Sequence, residues 1–136
     1  MYGDPSPEFP ASSLPPHPRV HYIGGFNGVA SLPAEKYDAF LYTSLFDGMP
    51  NTPVEIALRG LPIVAARVGG LPDFIGENGF IVDDITNPKA YAKCIKQTLD
   101  DIESSFHKAK NLQEKASREF SEDSFIGEVK SMFSNN

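Results

Sequence analysis

Cysteine is nearly absent. Cys94 stands alone, which excludes an internal disulfide framework and implies a reducing compartment. No apolar run approaches the roughly 20 residues that a membrane-spanning helix needs. The first residues carry no basic stretch followed by an apolar one, so no secretory signal is expected. Clustered positive charge is missing too. The 12 Lys and Arg are scattered among 18 Asp and Glu, and the net charge of −6 argues against nucleic acid, whose phosphates are held by grouped cations. His17, His21 and His107 have no partners at metal or triad spacing and read as structural or solvated. Cys94 reads as packing, and Asp100, Asp101 and Glu103 as a solvated helix end. These absences leave a cytoplasmic protein, or one peripheral to the membrane as part of a longer chain, with neither a transmembrane segment nor a bound metal.

What is there fits one α/β core. The 136 residues suffice for one hydrophobic core and not two, and 40% hydrophobic against 22% charged residues is ordinary for a globular domain. Six of the 12 prolines (Pro5, Pro7, Pro10, Pro15, Pro16 and Pro18) fall before residue 19, so 1–18 is expected to be irregular and 19–136 to form the domain. Val20–Ile23, closed by Gly24-Gly25, reads as a strand. Tyr37–Thr43 reads as a second, with an unbroken apolar run that predicts burial on both faces. Pro53–Arg59 reads as a helix stopped by Gly60, and Pro62–Ala66 and Phe80–Val82 as further strands. The remainder is expected to be helical. Tyr91, Ile95, Leu99 and Ile102 form one apolar stripe, and a last helix begins at Ser121 with Phe120 and Phe125 as a staple. Strands alternating with helices predict a Rossmann-like parallel sheet flanked by helices.

In such sheets ligands bind in the loops at the C-terminal ends of the strands. The loop Ser44–Thr52 is the most informative. Gly48 admits a close backbone approach or a positive φ. Asn51 or Thr52 is a natural N-cap, with Pro53 at the first helical position. Free N–H groups at a helix start bind an anion without lysine. Asp47 and Glu55, with seven residues between them, would repel a phosphate, so their fitting targets are neutral hydroxyls on either side. Gly69-Gly70 either contacts the ligand or makes a tight strand-to-helix turn. Phe26 either closes the edge of the core or borders a base. The glycines at 24, 25 and 28 do not make a dinucleotide fingerprint, because no helix opens directly on them.

Asp47-Gly48-Met49-Pro50 through Glu55, then Ala57–Ala65, Val68–Asp73 and Asn78–Val82, resembles the C-terminal domain of GT-B-fold glycosyltransferases of family 4. Tyr2-Gly3-Asp4 looks like the end of an upstream strand, and the likeness runs over about residues 2–133. Asp47 and Asp73 stand where that family has glutamate. The resemblance implies the C-terminal half of a GT-B fold and retaining transfer of a sugar from a UDP-, GDP- or ADP-linked donor, in polysaccharide or glycoconjugate biosynthesis. Asp47 would bind the donor sugar, Glu55 the ribose, and the N–H groups of Met49, Pro50-flanked Asn51 and Thr52 the diphosphate. Gly25 and Phe26 would border the base, and Gly69 and Gly70 the donor. The family's basic pair and its N-terminal acceptor domain lie outside this chain, so the isolated chain is expected to be inactive. A non-catalytic nucleotide-binding module, or a subunit completed by a partner chain, is the alternative. No cofactor is implied beyond the nucleotide-sugar substrate.

Overall fold

The structure is a computed structural model that describes residues 10–13 and 16–121. The chain divides into two units, residues 1–33 and 34–136. The first holds two short 3-10 turns, Ala11–Ser13 and Val29–Ser31, with Val29 and Leu32 buried. Val20–Ile23 is not a strand. All four of its residues are exposed, and among the described residues regular pairing near it is limited to a single bridge at Gly24.

The second unit follows the expected alternation, and the three strands predicted within it are all present. The strands are β1 (Phe40–Tyr42), β2 (Ile63–Ala66) and β3 (Phe80–Val82), and the helices are α1 (Asn51–Leu58), α2 (Leu71–Ile75), α3 (Pro88–Asp100) and α4 (Ile102–Glu119). The strands are parallel in the order β1-β2-β3, with Leu41 opposite Val64 and Ala65 opposite Ile81. All four residues of β2 are fully buried, as a central parallel strand requires. β1 departs from that expectation. It pairs only with β2 among the described residues, and Leu41 is 43% exposed, so the unbroken apolar run is not covered on both faces here.

The core forms where α1 and α4 meet. Ile56 and Ala57 of α1 face Ala109, Leu112 and Ala116 of α4, which recur at i, i+3 and i+7 and so share one face. Gln113 Nε2 donates to the Leu58 carbonyl at 2.7 Å, satisfying an orphan acceptor at the end of α1. Lys115 Nζ does the same for α2, donating to the carbonyls of Asp73 and Phe74 at 2.9 and 2.8 Å.

The predicted stripe from Tyr91 to Ile102 does not lie on one helix. The backbone breaks at Asp101 (φ −134°, ψ 73°), whose carboxylate caps α4 by accepting from the Ser104 N–H at 3.1 Å. Leu99 is half-exposed, and the buried place on α3 goes to Thr98, whose hydroxyl donates to the Cys94 carbonyl. The acidic cluster is thus partly a cap. The helix expected from Ser121, with Phe125, lies outside the described residues apart from its first position. Phe120 packs edge-on against Phe74, with ring centroids 5.4 Å apart.

Candidate functional site

The loop leaving β1 runs straight into α1, and prolines shape that junction. Pro50 is the N-cap, buried and extended at φ −71°, ψ 132°, and no side chain caps the helix. The helix therefore starts at Asn51, two residues before the expected position, with Pro53 third in the first turn. Of the four amides that a helix start leaves unbonded, Pro50 and Pro53 supply none. Only the N–H groups of Asn51 and Thr52 remain. Glu55 accordingly lies one turn in, exposed, and not in the first turn where the dipole would favour it most.

Asp47 is half-buried and held from below. The hydroxyl of Tyr42, at the C-terminal end of β1, donates to its Oδ2 at 2.6 Å. Burial, then the hydrogen bond to Asp47, raises the Tyr42 phenol above its ordinary value, so it stays a protonated donor at neutral pH. Sequence reading missed Tyr42. The available signal was a hydroxyl-bearing aromatic at a strand end, five residues before the acid.

Gly48 does not take a positive φ, and a Cβ built on it would meet open space. The demand for glycine falls instead on Gly69, at φ +51°, where a Cβ would lie 1.6 Å from the Gly48 carbonyl oxygen and 2.5 Å from that of Asp47. Gly70 N–H then donates to the Gly48 carbonyl at 2.7 Å, and the Met49 sulfur lies over Gly70. The loop after β2 is thereby locked beneath the loop after β1, and α2 opens immediately beyond it at Leu71. Asp47, Gly48, Met49, Gly69 and Gly70 form one cluster, continuous in the chain with Pro50, Asn51, Thr52 and Glu55. Gly25 and Phe26 belong to the first unit, both exposed, with the positive φ of that turn at Gly24 and Gly28.

Grooves of about 370 and 280 Å³ lie elsewhere, one between β1 and α3 beside Leu41 and Tyr91, the other beside Arg59 and Phe106. Neither is lined by the cluster. Among the described residues no group of His, Cys, Asp and Glu could hold a metal ion, and no helix is long and apolar enough to cross a membrane. The Cys94 thiol is pushed up by burial, which disfavours a nucleophilic thiolate.

A parallel sheet flanked by helices is the architecture of one half of a GT-B glycosyltransferase. The structure is similar to that of sucrose-phosphate synthase from Thermosynechococcus elongatus, with a TM-score of 0.73 at 21% identity, over 87% of this chain and 31% of that one. Residues 1–101 match the family model "Glycosyl transferases group 1", and the chain belongs to that family. It is 34% identical over 85 residues to spore coat protein SA of Bacillus subtilis (strain 168), covering 60% of this chain and 22% of the relative. It is 35% identical over 82 residues to the D-inositol 3-phosphate glycosyltransferase of Corynebacterium glutamicum (strain R), covering 59% of this chain and 19% of the relative. The matched part of the chain thus spans about a fifth of the length of these relatives.

Proposed function

We propose that this chain is the donor-binding half of a retaining glycosyltransferase of the GT-B family 4 type, taking a hexosyl group from a UDP-, GDP- or ADP-linked sugar. The observation that carries the reading is the lock between Gly48 and Gly69-Gly70. It pins the loop after β1 to the loop after β2 and leaves open the space where a Cβ on Gly48 would stand. A diphosphate beside the Asn51 and Thr52 amides gains ~0.3–1 kcal/mol from the helix dipole, and up to ~2 kcal/mol if partly buried. Two amides are few for a diphosphate, so the Met49 N–H contributes as well.

Asp47 and Glu55 flank this start. Asp47 accepts from a hydroxyl of the sugar and Glu55 from the ribose, each a charge-assisted bond of about 1.5–3 kcal/mol. With front-face attack, in which the donor phosphate helps deprotonate the acceptor, the work left to the protein is stabilising the departing diphosphate. The acceptor comes from an N-terminal domain outside this chain, so the chain alone binds donor weakly and transfers nothing. Metal and cofactor are not required, because amides and carboxylates divide the recognition between them.

A thermal-shift and calorimetric panel of nucleotides and nucleotide sugars on the 136-residue chain tests this. One base series should bind, and Glu55→Ala should weaken it about tenfold or more, while Glu35→Ala leaves it unchanged. Equal effects of the two substitutions, or no binding by any nucleotide sugar, would overturn the reading.

A further inference from the structure

The Tyr42–Asp47 pair has a consequence for sugar recognition, given the donor-site reading above. An aspartate in a loop ordinarily turns freely about its terminal torsion, and ordering it on binding costs entropy. Asp47 has already lost that freedom. Its Oδ2 accepts the Tyr42 hydroxyl at 2.6 Å, a length typical of a bond from O–H to an ionised carboxylate. Its Oδ1 has no hydrogen-bond partner among the described residues. The Tyr42 ring is itself held on β1, stacked at 6.3 Å between centroids and 27° on Phe40, two residues back on the same strand face. Rigidity therefore passes from the sheet through the phenol to the carboxylate.

We propose that Tyr42 is a positioning residue for the donor sugar: by fixing Oδ2 of Asp47 it presents Oδ1 as the oxygen that accepts from one sugar hydroxyl. A carboxylate with both oxygens free can chelate two neighbouring hydroxyls, whereas this one is set to read a single hydroxyl in a fixed direction. The pair thus contributes selectivity among sugars that differ at that carbon. It contributes nothing to the nucleotide, which is held further along by α1.

That separation makes the test clean. The quantity measured is the ratio of affinities for the nucleotide sugar and for the matching nucleoside diphosphate, by calorimetry on the full chain. Tyr42→Phe should lower the ratio roughly threefold to tenfold, the cost of ordering one released side chain at the interface, and leave diphosphate affinity within about twofold. Intact diphosphate binding also shows that the variant is folded. Asp47→Asn should lower the ratio by at least as much, and the double variant Tyr42→Phe/Asp47→Asn no further, since the two act through one contact. An unchanged ratio in Tyr42→Phe, an equal loss for sugar nucleotide and diphosphate, or additive losses in the double variant would each overturn the proposal. If the wild-type chain binds no nucleotide sugar, or Glu55→Ala binds as well as wild type, the donor-site reading fails first and this inference fails with it.

Discussion

The loops leaving β1 and β2 meet at one backbone hydrogen bond yet are built from opposite materials. The loop after β1 carries bulk on its surface: Phe46 is 92% exposed, Leu45 is exposed, and Asp47 and Met49 stand beside them. The loop after β2 narrows to Gly69 and Gly70 and offers little but its backbone to its neighbour. Where one loop must recognise something, the loop beneath it serves best by giving way. The largest expected effect follows. In Gly69→Ala the new Cβ would lie 1.6 Å from the Gly48 carbonyl oxygen, and φ is +51°. The left-handed backbone alone costs about 1–3 kcal/mol, and the overlap adds to it because neither contact is with a flexible side chain. Calorimetric melting should show Tm lower by roughly 5–10 °C. A melting point equal to that of the unsubstituted chain would mean that the two loops do not touch in solution.

The same substitution at the neighbouring glycine should behave in the opposite way. Gly48 has an ordinary φ and open space where a Cβ would stand, so Gly48→Ala should change stability by no more than ~0.5 kcal/mol. If the proposed donor site is right, a methyl group there should nevertheless weaken nucleotide-sugar binding about tenfold, which is ~1.4 kcal/mol. Loss of stability at 69 with loss of binding at 48 would separate scaffold from recognition within one contact. Loss of both properties at both positions would merge the two roles.

The residues that do the packing were legible in sequence because packing follows a period. β2 could be read from four consecutive apolar residues and α1 from its run up to Gly60, and both stand within two residues of their expected bounds. Val20–Ile23 has the composition of a strand, yet all four residues are exposed, and a one-dimensional pattern cannot report which apolar residues end up covered. The stripe from Tyr91 to Ile102 was periodic by coincidence. Asp101 satisfies the first turn of α4 better than it continues α3, so a local cap overrides a longer pattern. Of the two roles the sequence allowed Gly48, the structure shows the close backbone approach and not the positive φ, which falls on Gly69. A close approach between residues 48 and 69 is a fact of two loops meeting, and nothing in the neighbourhood of either glycine encodes it. Tyr42 escaped for a related reason: in a strand its hydroxyl reads as incidental to an apolar ring, and only the fold brings it to Asp47.

The smallest expected effect lies in alkaline solution and contrasts Tyr42 with Tyr91. Both phenols are raised above the ordinary value of 10.0, Tyr91 by burial alone, Tyr42 by burial and then by its bond to Asp47. A raised folded pKa means that the folded chain holds the phenolic proton more tightly than the unfolded one. The resulting stabilisation is complete below pH 10 and drains away as pH climbs through the higher folded values. Urea unfolding at steps from pH 9 upward should therefore show stability falling above pH 10. Asp47→Asn removes the negative charge beside Tyr42, leaving at most a neutral amide acceptor, and leaves Tyr91, whose hydroxyl donates to the Ile85 carbonyl, untouched. It should make the alkaline fall shallower without abolishing it, and Tyr42→Phe should leave the component that belongs to Tyr91. An alkaline profile identical in Asp47→Asn and the parent chain would show that the loop carboxylate does not sense the phenol beneath it, and that the order at the top of β1 has another source.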